Sequence, residues 1–220
     1  KHHIKVVTIA DIIKYRMKHE KLIEKIIDIN LPTAYGEFKV YAFKNKITGS
    51  EDLALVKGEI KKEMLVRIHS ECMTSEVFKS LKCDCDEQLQ ASLIEIQRNG
   101  GVLIYLRQEG RGIGLINKLK AYRLQEEGYD TIKANEKLGF KEDLREYGIA
   151  AQILKYFGLS SIKLLTNNPD KAEQLDYYGI KINEILPIST IPNKHNIKYM
   201  ETKEKDMGHL TDIKNKLTFI

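Results

Sequence analysis

With 220 residues and a mass of 25.4 kDa, the chain has room for one ordinary domain plus an appendage and too little for two full domains. A composition 42% hydrophobic and 30% charged supplies a core and excludes a disordered or fibrous chain, while three cysteines cannot close a disulfide framework. A net charge of +5 suits anionic small molecules as well as nucleic acid and does not choose between them.

The chain opens on Lys1 rather than Met, as a fragment or processed product would. Lys and His interrupt the first residues where a signal peptide would be apolar, and no apolar run approaches the ~18 residues of a membrane span. A cytoplasmic, thiol-reducing setting is therefore expected, with no membrane partner. Thr8-Ile9-Ala10-Asp11 has the spacing of a helix N-cap with an acid in the first turn. Apolar residues at Ile9, Ile12, Ile13, Leu22, Ile23, Ile26 and Ile27 then follow a roughly helical period, weakened between Arg16 and Lys21. Residues 1–30 are expected to be a linker helix, apart from a domain over 31–220.

Alternation through Phe38, Val40 and Ala42, more loosely through Leu53, Leu55 and Ile60, and the short run Leu65-Val66-Arg67-Ile68 predict mostly antiparallel strands over 31–70. Gly36, Gly49 and Gly58 mark the turns. Val77, Leu81, Leu89, Leu93 and Ile96 predict a helix over 75–98 that ends at Gly100-Gly101. Strand Val102–Leu106, a glycine loop, helix 114–127, a loop, helix 143–157, strand Ile162–Leu165 and helix 169–178 follow, with an irregular tail from Pro187. Strands alternating with helices imply an α/β fold: a three-layer α/β/α mixed sheet with a β-rich N-terminal part.

All three cysteines fall in His69-Ser70-Glu71-Cys72 and Lys82-Cys83-Asp84-Cys85. Buried structural cysteines usually keep apolar company, which these lack. Thiolates are strong zinc ligands, and a Cys-x-Cys pair can place two sulfurs on one ion. Three sulfurs leave a position for water, as in catalytic sites, whereas His69 as a fourth ligand would close the site. A lone His beside a strand end is more often a hydrogen-bonding residue, so three sulfurs are favoured over four ligands and over three unlinked thiols. Asp86 and Glu87 add carboxylates near such an ion, which would raise the pKa of its water.

Strand Val102–Leu106 runs into Arg107-Gln108-Glu109-Gly110-Arg111-Gly112-Ile113-Gly114 and a helix. Glycines before a helix N-terminus let backbone N–H groups approach an anion, and flanking arginines add charge. The G-x-G-x-G spacing is neither a P-loop nor the dinucleotide fingerprint, and by itself it is equally a plain turn. Beside the cysteines, it points to hydrolysis of a nucleotide.

Arg67-Ile68-His69-Ser70-Glu71-Cys72, Lys82-Cys83-Asp84-Cys85, the glycine loop, Gly139-Phe140 with Asp143 and Arg145, Leu165-Thr166-Asn167-Asn168-Pro169 and Lys205-Asp206-Met207-Gly208-His209-Leu210 together resemble GTP cyclohydrolase II, in order over about residues 31–210. The first thirty residues resemble the end of a 3,4-dihydroxy-2-butanone 4-phosphate synthase domain and its linker. That implies a parent chain in which the two domains are fused, with the lyase body outside these residues.

The resemblance implies zinc on Cys72, Cys83 and Cys85, and a reaction that opens the imidazole ring of GTP, releases C8 as formate and expels pyrophosphate. The product would be 2,5-diamino-6-(5-phosphoribosylamino)pyrimidin-4(3H)-one, the first intermediate of riboflavin biosynthesis. It implies GTP contacts at Arg67, Ile68, His69, Ser70, Glu71, Gln88, Glu109, Gly110, Arg111, Thr131, Thr166 and Lys171, Mg²⁺ with the triphosphate, and a homodimer. Glu109 could accept from the N1–H and 2-amino edge of guanine, and Arg67, Arg111 and Lys171 suit phosphates. Asp143 and Arg145 match the family's proton acceptor and nucleophile. A guanidinium stays protonated, with a pKa above ~12, so a clamp on the α-phosphate is the simpler role for Arg145. Tyr122 matches a family tyrosine that could orient water or the leaving group, or it is a core aromatic.

Three rivals remain. A zinc nucleobase deaminase would share His69-Ser70-Glu71 but needs Pro-Cys-x-x-Cys, which is absent. A zinc-stabilised nucleic-acid module needs a basic stripe with aromatics, whereas the Lys and Arg here interleave with acids; nucleic acid is not expected as a partner. A catalytically silent regulatory homologue would not be expected to keep every motif.

Overall fold

The computed structural model describes residues 6–141, 143–205 and 208. Of the C-terminal motif, Asp206, Met207, His209 and Leu210 lie outside the described residues. Helix α1 (Ile9–His19) starts at the expected cap: Thr8 Oγ1 accepts from Asp11 N at 3.1 Å, and Thr8 N donates back to Asp11 Oδ2 at 2.9 Å. The helical reading does not extend beyond it. Ile23–Thr33 is strand β1, paired antiparallel with β2 (Gly36–Asn45) from Ile23↔Asn45 to Thr33↔Gly36. Isoleucines two to four apart suit either period, and β-branched side chains favour the strand once a partner is present. A register shift between Lys25 and Ile27 turns Ile26 and Ile27 outward, so the apolar pair that suggested a helix face lies exposed at the sheet edge.

β3 (Glu51–Lys57), β4 (Leu65–Ser70), β5 (Gly101–Leu106), β6 (Ser161–Leu165) and β7 (Lys181–Leu186) complete a seven-stranded sheet in the order β1-β2-β3-β5-β4-β6-β7. The β1-β2-β3-β5 half is antiparallel and the β5-β4-β6-β7 half is parallel. The mixed α/β sheet therefore holds as expected.

Alternate strand residues serve two cores. On one face Val66, Ile68, Val102, Ile104 and Leu164 pack with Ile149, Ile153 and Leu154 of α6 (Gly148–Tyr156) and Leu175 of α7 (Pro169–Tyr177). On the other, Leu65, Leu103 and Leu165 pack with Leu93 and Ile96 of α3 (Cys85–Asn99). Helix α1, which buries none of its residues, is tethered to the α6 side through Gln152, whose amide donates to Met17 O at 2.8 Å and Glu20 O at 2.9 Å.

Several helix limits differ from the expectation. The run over 75–98 is broken: α2 (Met73–Glu76) stops early, Lys79 takes a left-handed φ of 54°, and helix resumes only at Cys85. Val77, Phe78 and Leu81 are exposed, so the spacing read there as a buried stripe belongs to a loop that returns Cys83 to Cys72. α4 (Leu115–Glu126) is as expected, whereas α5 (Thr131–Lys137) occupies a segment read as loop, capped by Asp130 Oδ1 accepting from Lys133 N at 2.8 Å. α6 begins at Gly148 rather than 143, because the preceding residues turn back to form the Asp143–Arg145 pair. The tail is not wholly irregular: α8 (Ile197–Lys205) lies within it.

Candidate metal and nucleotide site

β4 connects through α3 to β5 on one side, and β5 crosses back over β4 to β6 on the other, with the covering helices on opposite faces. Ligands of open α/β sheets bind at the carboxyl ends of strands where the order reverses in this way. The segments after β4, β5 and β6 meet there around a cleft of about 1080 Å³, part of it open to solvent.

Cys72, Cys83 and Cys85 are free thiols whose sulfurs lie within 4.8 Å of one another, and Cys72 Sγ is 3.7 Å from Cys83 Sγ. Tetrahedral zinc with Zn–S bonds of ~2.3 Å needs its sulfurs about 3.8 Å apart, so the donor set fits that ion. Among the described residues, no histidine or carboxylate joins the group. His69 instead places Nε2 2.8 Å from Glu76 Oε1 and Nδ1 3.4 Å from an Arg67 nitrogen. Asp86 is engaged by Lys79 and Gln90, each at 2.8 Å. Asp84, between the paired cysteines, is fully buried: burial would raise its carboxyl, but Lys203, Gln88 and Thr190 hold it down to about 2.

Beside the thiols lies a group of basic side chains, Arg67 and Lys171 buried and Arg111 and Arg145 half-buried. Arg67, 3% exposed, donates to Leu165 O at 3.1 Å and Gln88 Oε1 at 2.8 Å, while its Nε has no partner. Burial lowers its pKa to about 10. Lys171 donates to Ile68 O at 2.8 Å; burial, then Arg67 and Arg145, push its pKa well down. Arg111 has two buried guanidinium nitrogens without a partner. Arg145 is the exception, gripped by Asp143 through Nε–Oδ1 and Nε–Oδ2 contacts of 2.9 and 3.0 Å and a further contact from NH2. Burial opposes the charge on each, yet the pairing keeps Asp143 below and Arg145 above its ordinary pKa.

The glycine loop serves the site differently from a backbone cradle. Gly110 N donates to Glu109 Oε1 at 2.8 Å, Ile113 N to Gly110 O at 3.3 Å and Gly114 N to Glu109 O at 3.0 Å. Those N–H groups are used within the loop. What the loop presents is Arg111, held in a left-handed conformation at φ 60°. A Cβ on Gly112 would lie 3.1 Å from Leu144 O, so glycine there lets the loop close against the segment that carries Arg145.

Arg67, His69, Ser70, Glu71, Gln88, Glu109, Gly110, Arg111, Thr131, Thr166, Lys171, Tyr122 and Arg145 all line the cleft with the three cysteines. Ile68 does not: its side chain is buried in the core, and it offers only its carbonyl, to Lys171. Asp143 is reached through Arg145. Glu71 pairs with Arg107 at 2.9 Å, Ser70 accepts from Gln108 at 3.1 Å, and Thr166 Oγ1 accepts from Asn168 N at 3.0 Å. Glu109 accepts from Met73 N at 2.6 Å and Lys118 Nζ at 2.8 Å besides Gly110. Tyr122 lies under Lys82, 4.7 Å from its ring centre, and burial raises its phenol pKa. Lys118, Tyr199 and Lys203 also line the cleft and were missed from sequence. The last two sit on α8 in the tail expected to be irregular, and nothing in the motifs marks Lys118 out from the other lysines of its helix.

The chain is thus an α/β protein with a basic cleft at the switch point of its sheet, next to thiols able to hold a metal. The GTP cyclohydrolase II family model matches residues 24–187, and the chain belongs to that family. It is 54% identical over 214 residues to the riboflavin biosynthesis protein RibBA of Bacillus subtilis (strain 168), covering 96% of this chain and 54% of that protein. RibBA of Aquifex aeolicus (strain VF5) is 51% identical over 214 residues, covering 96% of this chain and 53% of that one. The chain thus spans about half the length of the curated relatives it matches. Among solved structures, RibBX, a two-domain 3,4-dihydroxy-2-butanone 4-phosphate synthase from A. baumannii, shares the fold: TM-score 0.51 and 24% identity over 84% of this chain and 46% of that one.

Proposed function

We propose that this chain carries out the zinc-dependent opening of GTP, releasing C8 as formate and expelling pyrophosphate to leave 2,5-diamino-6-(5-phosphoribosylamino)pyrimidin-4(3H)-one for riboflavin biosynthesis. The observation that carries this reading is the convergence, in one cleft, of three metal-competent thiols with buried guanidinium groups that still have donors to spare. Zinc, when bound, supplies the Lewis acid that makes water a nucleophile near neutral pH.

The protein's own groups do the rest. Arg67 Nε and the two free nitrogens of Arg111 receive the triphosphate, entering with Mg²⁺, and Lys171, held by Ile68 O, offers a further N–H donor. Arg145, kept cationic by Asp143, clamps the α-phosphate rather than attacking it. Glu109 has three donors on its carboxylate, which leaves one acceptor direction on Oε2 for the guanine edge. The Tyr122 phenol stays protonated and donates to water or the leaving group.

Among the described residues no helix is long and apolar enough to cross a membrane. The proposed site of action is the cytoplasm, whose reducing setting keeps the three thiols free to hold a metal. The active unit is a homodimer. The segment ahead of β1 links to a dihydroxybutanone phosphate synthase domain in the parent chain. Incubating the zinc-loaded protein with GTP and Mg²⁺, then assaying formate and the diaminopyrimidine, tests the activity. Stoichiometric release of both is expected, and GTP recovered intact overturns it.

A further inference from the structure

Lys118 lies on α4, 46 positions after Cys72, and is 9% exposed. Its ammonium nitrogen is 3.0 Å from Cys72 Sγ and 2.8 Å from Glu109 Oε1. Glu109 is itself fixed by the Met73 and Gly110 N–H groups, so the lysine is aimed rather than loosely attracted. Met73 directly follows Cys72, which ties the sulfur, the carboxylate and the lysine into one unit. A long, rotamer-rich side chain loses much entropy when ordered in this way, and an ordinary packing lysine would keep its head in water.

We infer that Lys118 is a positioning residue for the metal centre: its N–H donates to the Cys72 thiolate and draws electron density from that sulfur. The inference rests on the reading of the three cysteines as zinc ligands. Three thiolates around a divalent cation carry a net charge of −1, which weakens the ion as a Lewis acid and repels a polyanionic nucleotide. One ammonium N–H donated to one sulfur lowers the donor strength of that ligand, while Glu109 shares the same ammonium and holds it in place. Partners of this kind, one shell beyond the ligands, typically set affinity or activity by ~10–100-fold. Lys118 also keeps Glu109 oriented, which couples the metal side of the cleft to the proposed guanine-reading side.

Replacement of the native metal by Co²⁺ provides a readout independent of turnover, because sulfur-to-cobalt charge-transfer bands report the electron richness of the thiolates. Wild-type protein is expected to take up one Co²⁺ with such bands. In Lys118→Met they should shift to lower energy, and in Lys118→Arg, which keeps an N–H donor, they should stay near the wild-type position. With zinc, Lys118→Met should lose ~10–100-fold in kcat, with a smaller rise in KM for GTP as Glu109 loses its partner, and Lys118→Arg should recover part of both. If wild type shows no thiolate bands, the metal reading fails and this inference with it. If the bands are present but do not move in Lys118→Met, or if that variant raises KM while keeping kcat, Lys118 is a packing or substrate contact and the inference alone is overturned. Should Lys118→Met not fold, bands in Lys118→Arg displaced as far as those of a Cys72→Ser control would overturn it equally.

Discussion

Arg145 and Asp143, two positions apart, face each other in a two-pronged ion pair, with Arg145 Nε 2.9 and 3.0 Å from the two carboxylate oxygens and the Arg145 backbone N–H donating to the same carboxylate at 2.9 Å. A guanidinium so paired has no lone pair to offer phosphorus. Arg145→Lys is therefore expected to lower kcat/KM by ~10²-fold, the scale of losing one charge-stabilising donor, without abolishing turnover. Intact-mass measurement during turnover should find no guanylyl adduct; a stable phosphoramidate on Arg145 would restore the nucleophile role.

Removal of the metal should silence the site without unfolding the sheet, since the thiols sit at strand and helix ends and not within either core. Cys83→Ser is expected to retain the wild-type far-ultraviolet circular dichroism, to bind less than stoichiometric zinc and to release no formate. Full formate release by a zinc-free preparation would contradict the metal role.

His69 makes stability fall on mild acidification. Its Nε2–H donates to Glu76 and its Nδ1 faces an Arg67 donor, an arrangement that suits the neutral ring; burial is the main cause of its lowered pKa. The unfolded chain, with a histidine pKa of ~6.5, then binds the proton more readily than the folded one. Stability from this group is present above that value and is lost as pH falls below it. Urea midpoints measured at pH 7 and pH 5 should drop more for wild type than for His69→Gln, and equal drops would count against the neutral ring.

Lys203 anchors α8 to the cysteine loop through Asp84, at 2.8 Å, with both side chains buried. Lys203→Met leaves that carboxylate without its counter-charge and should cost ~3–5 kcal/mol in urea unfolding, the usual penalty for breaking one side of a buried pair. A loss below 1 kcal/mol would place the pair in solvent-like surroundings.

Much of this molecule was legible from residue type and spacing. Strands β5 and β6, α4 and α7 follow from apolar period and turn residues, and the cysteine trio from three thiols set in polar company, whereas β4, expected with the antiparallel run over 31–70, pairs in parallel with both neighbours and β7 had no reading in the sequence. Where period alone was ambiguous the reading failed, and in each case a long-range contact decided. Ile23, Ile26 and Ile27 become strand because β2 is there to pair with. The run over 75–98 breaks because the loop returns Cys83 to Cys72. α8 forms in a polar tail whose anchor, Asp84, lies 119 positions away from Lys203.

The sequence by itself determined the chemical inventory: which side chains can bind a soft metal, which carry positive charge, and where glycines free the backbone between β5 and α4. Tertiary structure decided how those groups are spent. It engaged the N–H groups of Gly110, Ile113 and Gly114 within the glycine loop, left Arg67 Nε and two Arg111 nitrogens without hydrogen-bond partners, paired Arg145 with Asp143, and set Lys118 against Cys72. The division has a physical cause. Donor and acceptor types belong to each residue alone, whereas burial and partner choice are properties of surfaces that meet only after the chain has folded.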